Sequence, residues 1–238
     1  MAKTLLTISD GNGSSSANFI KWPKLLQALT LDSLQITNKS IPGASNELIL
    51  MQLAETLRNE AVDCAIIQWT FPQRVDLILT DFWSDQAKDD SVYHSNIFDS
   101  NGARWWVTSH SDNKYIREYH NRYIGDWHST QRSQVYMLAA AELLKNKQIP
   151  FVFCLAYHFD FVAPTKEVIE ALPWVWHEPN KGLSEFRSSS QLYNLDQGLA
   201  NPHSAIQLDW INAVLKPKCE FVDYPEIRYY NIQKHLTR

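Results

Sequence analysis

Residues 64–70 read Cys64-Ala65-Ile66-Ile67-Gln68-Trp69-Thr70. The run is nearly continuous in apolar character and does not alternate. A strand facing water on one side alternates; a strand covered on both faces, as in a parallel sheet, does not. Two further runs, Thr4–Ile8 and Ile149–Ala156, and a short strand candidate, Leu34–Asn38, lie around it. Helical stripes separate them. Phe19, Trp22, Leu25, Leu26 and Leu29 form one, Ile49, Leu53 and Leu57 a second, and Met137, Leu138, Ala141 and Leu144 a third. A short helix is expected over Thr165–Ala171. Strands alternating with helices predict an α/β domain with helices on both faces of a mostly parallel sheet. The expected architecture is a three-layer α/β/α, flavodoxin-like domain of five strands, the fifth at Cys219–Val222.

Local signals set the expected helix ends. Pro23 falls in the first turns of a helix over Asn18–Leu29, where proline is tolerated. Ser45 or Asn46 suits an N-cap. Asn201 followed by Pro202 predicts the start of the last main helix, with Leu208, Ile211 and Leu215 facing inward. Residues 71–125 and 173–200 are polar, rich in aromatics and irregular, and read as two insertions, the first with a helical piece near Asn113–Tyr123. The reading is a single domain over residues 1–222 and a C-terminal tail, 223–238, lying across the surface.

A chain of 238 residues can bury a full core without disulfide staples. Its composition, 45% hydrophobic and 20% charged, is that of a folded globular protein. With 22 Lys plus Arg against 26 Asp plus Glu, it gives no sign of a basic nucleic-acid-binding face. No run reaches the roughly 18 apolar residues of a membrane span, and the N-terminal apolar stretch is too short for a signal-peptide core. These features predict cytoplasmic synthesis without membrane insertion. Cys64, Cys154 and Cys219 are widely spaced and odd in number, and sit in or beside apolar runs, so buried thiols are expected. No phosphate-binding glycine motif and no metal-ligand spacing occurs around His120, His128 or His158, so no cofactor and no metal are expected.

In a parallel sheet the ligand crevice lies beyond the carboxyl ends of the strands. Ser9–Ser16, Ser40–Asn46 and Trp69–Arg74 converge there, together with the turn at Asn201–Ser204. Asn46, Trp69 and Arg74 are therefore candidate ligand-binding residues. The order of these segments resembles that of the SGNH or GDSL hydrolases, a family of esterases and deacetylases. Pro42-Gly43-Ala44-Ser45-Asn46 and Gln68-Trp69-Thr70 are similar to turns of SGNH-like proteins from tailed phages, cyanobacterial ones especially. The resemblance covers most of the chain in segment order but only short blocks in identity.

Block by block, the resemblance implies roles and also departures. Thr7-Ile8-Ser9-Asp10-Gly11 stands where the family has Gly-Asp-Ser: Asp10 matches, and Gly11 occupies the nucleophile position. Ser9, Ser14, Ser15 or Ser16 would have to replace the missing serine, with Ser14 the representative candidate. Gly43 corresponds to the glycine whose N–H joins the oxyanion hole. Gln68 or Thr70 stands at the oxyanion asparagine. Asn201 occupies the histidine position, which leaves His203 as the only nearby base, oriented by Asp196 or Asp209. A polar turn, a capped helix and a surface histidine account for the same residues without catalysis.

Two readings follow. The first is a catalytically degenerate SGNH-like domain serving as a structural or binding component, with a phage tail or baseplate as the setting the resemblance implies and virion proteins or a glycan as partners. The second is an active serine esterase or carbohydrate deacetylase with a rebuilt triad. Trp105, Trp106, Tyr115, Tyr119, Tyr123, Trp127, Trp174 and Trp176 are read chiefly as the core of the insertions; a sugar-stacking platform or a partner-contact surface is the alternative.

Overall fold

The computed structural model describes residues 2–10, 21–30, 33–41, 44–78, 104–107, 118, 122–123, 125–176, 181–189 and 203–236. Strands β1 (Lys3–Ile8), β2 (Leu34–Asn38) and β3 (Cys64–Trp69) alternate with helices α1 (Trp22–Leu29) and α2 (Asn46–Asn59). A two-stranded antiparallel pair follows, β4 (Val75–Ile78) with β5 (Arg104–Val107). Then come α3 (Asp126–Asn146), β6 (Phe151–Leu155), α4 (Lys166–Glu170), α5 (Leu183–Ser189), α6 (Ser204–Trp210) and α7 (Glu226–Leu236). The main sheet is wholly parallel, in the order β2-β1-β3-β6.

Period-two alternation sorts each buried strand between two apolar clusters. Leu5, Cys64, Ile66, Val152 and Cys154 meet α1 and α6 on one face. Leu6, Ile8, Ala65, Ile67 and Phe153 meet α2 and α3 on the other. β3 is buried at all six positions, as its unbroken apolar run requires.

Helix ends follow the local chemistry. Ser45, not Asn46, caps α2: its hydroxyl accepts from the Leu48 N–H at 3.2 Å. At the start of α1, the Trp22 N–H donates to Gln207 Oε1 at 2.7 Å, so a helix-end donor that would otherwise lack a partner joins α1 to α6.

Two expectations need correction. The main sheet has four described strands and not five, because Cys219–Val222 forms a turn closed by the Val222 N–H on the Cys219 carbonyl at 2.9 Å. The last main helix starts at Ser204 with His203 as N-cap, and runs on through a wider π turn, Ile211–Leu215, to Lys218. Asn201 and Pro202 lie outside the described residues. The tail that crosses the surface carries a helix. Helix α7 packs on the α1–α6 face, where Tyr224 and Tyr229 are buried and the Arg228 guanidinium donates to the Leu29 carbonyl at 2.8 Å.

The two insertions contain order. β4 and β5 pair within the first, though most of the Asn113–Tyr123 helical piece lies outside the described residues. In the second, Trp174 and Gly182 bridge to Phe153 and Leu155, extending the sheet edge beside β6. No described helix is long and apolar enough to cross a membrane.

Candidate functional site

The parallel register delivers Ser9-Asp10, Thr70-Phe71 and Ala156-Tyr157 to one edge, past the carboxyl ends of β1, β3 and β6. The polar centre of that edge is Asp10, 1% exposed. Its Oδ2 accepts from the Thr70 hydroxyl at 2.9 Å and from Arg74 Nη1 at 2.8 Å. A carboxylate this buried needs such partners, because desolvation without them costs far more than a neutral group's burial.

Asn46 locks the same corner. Its Oδ1 accepts from the Thr70 N–H at 2.9 Å. Its amide Nδ2 donates to the Thr70 carbonyl at 3.1 Å and to Ser133 Oγ at 3.0 Å. Through Asn46 the strand end of β3 is tied to the first turn of α2 and to α3. Ser9 is also enclosed: Oγ lies 2.9 Å from Ser40 Oγ and 3.0 Å from the Asp10 carbonyl. One hydroxyl proton serves one of these contacts, and Ser40 donates in the other.

The proposed oxyanion donors are engaged or turned away. The Thr70 hydroxyl and N–H are both committed, to Asp10 and Asn46. Gln68 points to the α1 face, where its Oε1 accepts from Trp22 Nε1 at 3.3 Å; its Nε2 is buried with no hydrogen-bond partner among the described residues. Trp69 points to the opposite face, fully buried, its ring 5.3 Å from Phe153 in an edge contact. Of the candidate ligand-binding residues, only Arg74 retains exposure, at 19% of its side chain.

His203 caps α6. Its Nδ1 accepts from the Ala205 N–H at 3.2 Å, so in the neutral ring the proton sits on Nε2. Asp209, one candidate to orient it, instead accepts from the Tyr229 hydroxyl at 2.8 Å. Gly11, Ser14, Ser15, Ser16, Gly43, Asp196 and Asn201 lie outside the described residues.

Two features at this edge were not anticipated from the sequence. Phe71 and Tyr157 stack with ring centroids 3.9 Å apart and planes 14° from parallel, and Phe71 stays 40% exposed. Arg74 Cζ lies 5.9 Å from the Tyr157 centroid. The usable signal was positional: Phe71 and Tyr157 each follow the end of a parallel strand, and β3 and β6 are neighbours. The second feature is a clamp in which Glu185 Oε2 accepts from the His158 N–H at 2.8 Å across Gly182. A Cβ on Gly182 would fall 2.6 Å from the His158 nitrogen and 2.7 Å from the Tyr157 carbonyl carbon, and would meet Glu185 Oε2 as well. Only glycine fits so close to backbone.

Among the described residues no group of three His, Cys, Asp or Glu side chains is arranged to hold a metal ion. Of the aromatics singled out in the insertions, Trp174 and Trp176 stack at 5.2 Å and pack partly buried against the α2–α3 cluster. Tyr123 and Trp127 are exposed, at 67% and 59%. The side chains of Trp105 and Trp106, and residues Tyr115 and Tyr119, lie outside what is described. No protein-family model matches the chain, and no curated protein matches it.

Proposed function

We propose that the chain is a catalytically degenerate SGNH-hydrolase-like domain, three-layered and flavodoxin-like, acting as a structural or binding component. The strand order β2-β1-β3-β6 supports the architecture, and the segment order around the carboxyl edge supports the family likeness. The observation that carries the loss of catalysis is His203. A general base must present an unprotonated nitrogen to the nucleophile. Here Nδ1 is occupied as an acceptor of the Ala205 N–H, which leaves the proton of the neutral ring on Nε2. The Gly11 and Asn201 replacements, and the engagement of Thr70 and Asn46 with each other, point the same way. A place in a phage tail or baseplate, with virion proteins or a glycan as partners, is the setting that the resemblance brings with it.

Hydrolysis of p-nitrophenyl acetate by the purified chain tests this reading, beside His203→Ala and a Ser14/Ser15/Ser16→Ala variant. The expected result is no turnover above buffer in any of the three. Turnover by the native chain that disappears in both variants would establish a rebuilt triad and overturn the degenerate reading.

A further inference from the structure

We infer that the Phe71–Tyr157 stack, with Arg74 at its rim, is a binding platform for a pyranose ring of a neutral glycan. The inference rests on the proposed binding role and gives it a site and a ligand class. Its position is the first support. The stack stands past the carboxyl ends of two adjacent parallel strands, the edge at which open α/β sheets bind ligands. Its exposure is the second. Phe71 presents 40% of itself to solvent while its other side lies against Tyr157, so one ring face is supported and open. The support beneath it is rigid: the Arg74 N–H closes the turn on the Phe71 carbonyl at 3.1 Å, and the Arg74 guanidinium is anchored on buried Asp10.

The chemistry of the rim selects the ligand. A pyranose has an apolar C–H face and a girdle of hydroxyls. An exposed ring face takes the first, and planar polar side chains take the second. Among the described residues Arg74 makes one side-chain hydrogen bond, from Nη1 to Asp10. A guanidinium has five N–H donors in a fixed fork, so donors remain for hydroxyl oxygens. Its charge is already matched by Asp10, and the chain carries a formal −4. The Arg74–Asp10 pair is neutral as a unit, which favours an uncharged ligand over a phosphate-bearing one.

Saturation-transfer NMR with the full chain provides the test, using cellohexaose, maltohexaose, chitohexaose and a mannohexaose as probes, and adenosine monophosphate and a tryptophan-containing tripeptide as competitors in class. At least one hexaose is expected to receive saturation on its ring protons. Phe71→Ala should weaken its apparent affinity about tenfold or more, and Phe71→Tyr should restore it. Tyr230→Ala, which removes an exposed aromatic from α7, should change nothing. Circular dichroism of each variant confirms that it is folded. Transfer to none of the four sugars, undiminished transfer in folded Phe71→Ala, or stronger transfer to the nucleotide or the tripeptide would each overturn the inference. Failure here without ester turnover leaves the degenerate-domain reading standing; ester turnover with sugar binding intact removes that reading and keeps the platform.

Discussion

Asp10 shows how one residue can match a motif and still serve another purpose. In the family likeness it belongs to the nucleophile block. In the fold it is a buried anion held by Thr70 and Arg74, and it fastens the turn after β3 to the end of β1. Removing one partner of a buried pair is expensive because the other is left unmatched. Asp10→Ala is expected to lower stability by about 3 kcal/mol, read as a shift in the urea midpoint at constant slope. An unchanged midpoint would mean that Arg74 and Thr70 find solvent without cost. Gly182 makes the complementary point about space. Its need for glycine comes from the approach of residues 157–158, which are some 25 positions away and invisible to any local pattern.

At the scale of elements, the last helix departs furthest from the sequence reading. Glu226–Leu236 reads as an aromatic, mildly basic tail because its apolar residues do not form a strong stripe. Two tyrosines help to hold α7, beside the Arg228 contact to Leu29 and the partly buried Ile232 and Leu236. Tyr224 and Tyr229 are buried against α6, and the Tyr229 hydroxyl donates to Asp209 at 2.8 Å. Tyr229→Ala should therefore cost about 3 kcal/mol, the range for truncating a buried aromatic. Hydrogen exchange in α7 should accelerate with it. A variant with native stability would show that the helix docks without the ring. The missing fifth strand has a similar origin. Cys219–Val222 has strand-like residues, yet the helix before it ends where the chain must turn toward α7, and Cys219 and Val222 are buried within a turn.

For the whole molecule, burial fixes how stability answers to alkali. Burial pushes the Cys64 and Cys219 thiols from 9.0 up to about 12, the Tyr224 phenol from 10.0 up to about 12, and Cys154 and Tyr229 upward as well. Below about pH 8 both folded and unfolded chains keep these protons, so the groups contribute almost no pH dependence. As pH rises from 9 toward 12 the unfolded chain releases protons that the folded chain retains, and stability falls. Urea midpoints should be level from these groups between about pH 7 and 8 and decline steadily from about pH 9. The three thiols should resist a thiol-specific disulfide reagent at neutral pH until urea is added, since the thiolate is the reactive form. Rapid labelling of the native chain would contradict the burial.

The sequence by itself determined the α/β class, the positions of the four parallel strands and most of the helices. Those follow from periodicity, and periodicity is local: an unbroken run such as Cys64–Trp69 must be covered on both faces whatever covers it. It also marked the loops after β1 and β3, of which Asp10, Thr70 and Arg74 meet at the carboxyl edge. Only the tertiary structure decided what those loops do there. Whether Thr70 offers its hydroxyl to a ligand or to Asp10, whether His203 is a base or a cap, and whether Phe71 stands alone or stacked on Tyr157 depend on partners up to 86 residues away. A hydrogen-bonding group satisfies whichever partner the packed backbone brings within about 3 Å, and residue type alone does not say which partner arrives.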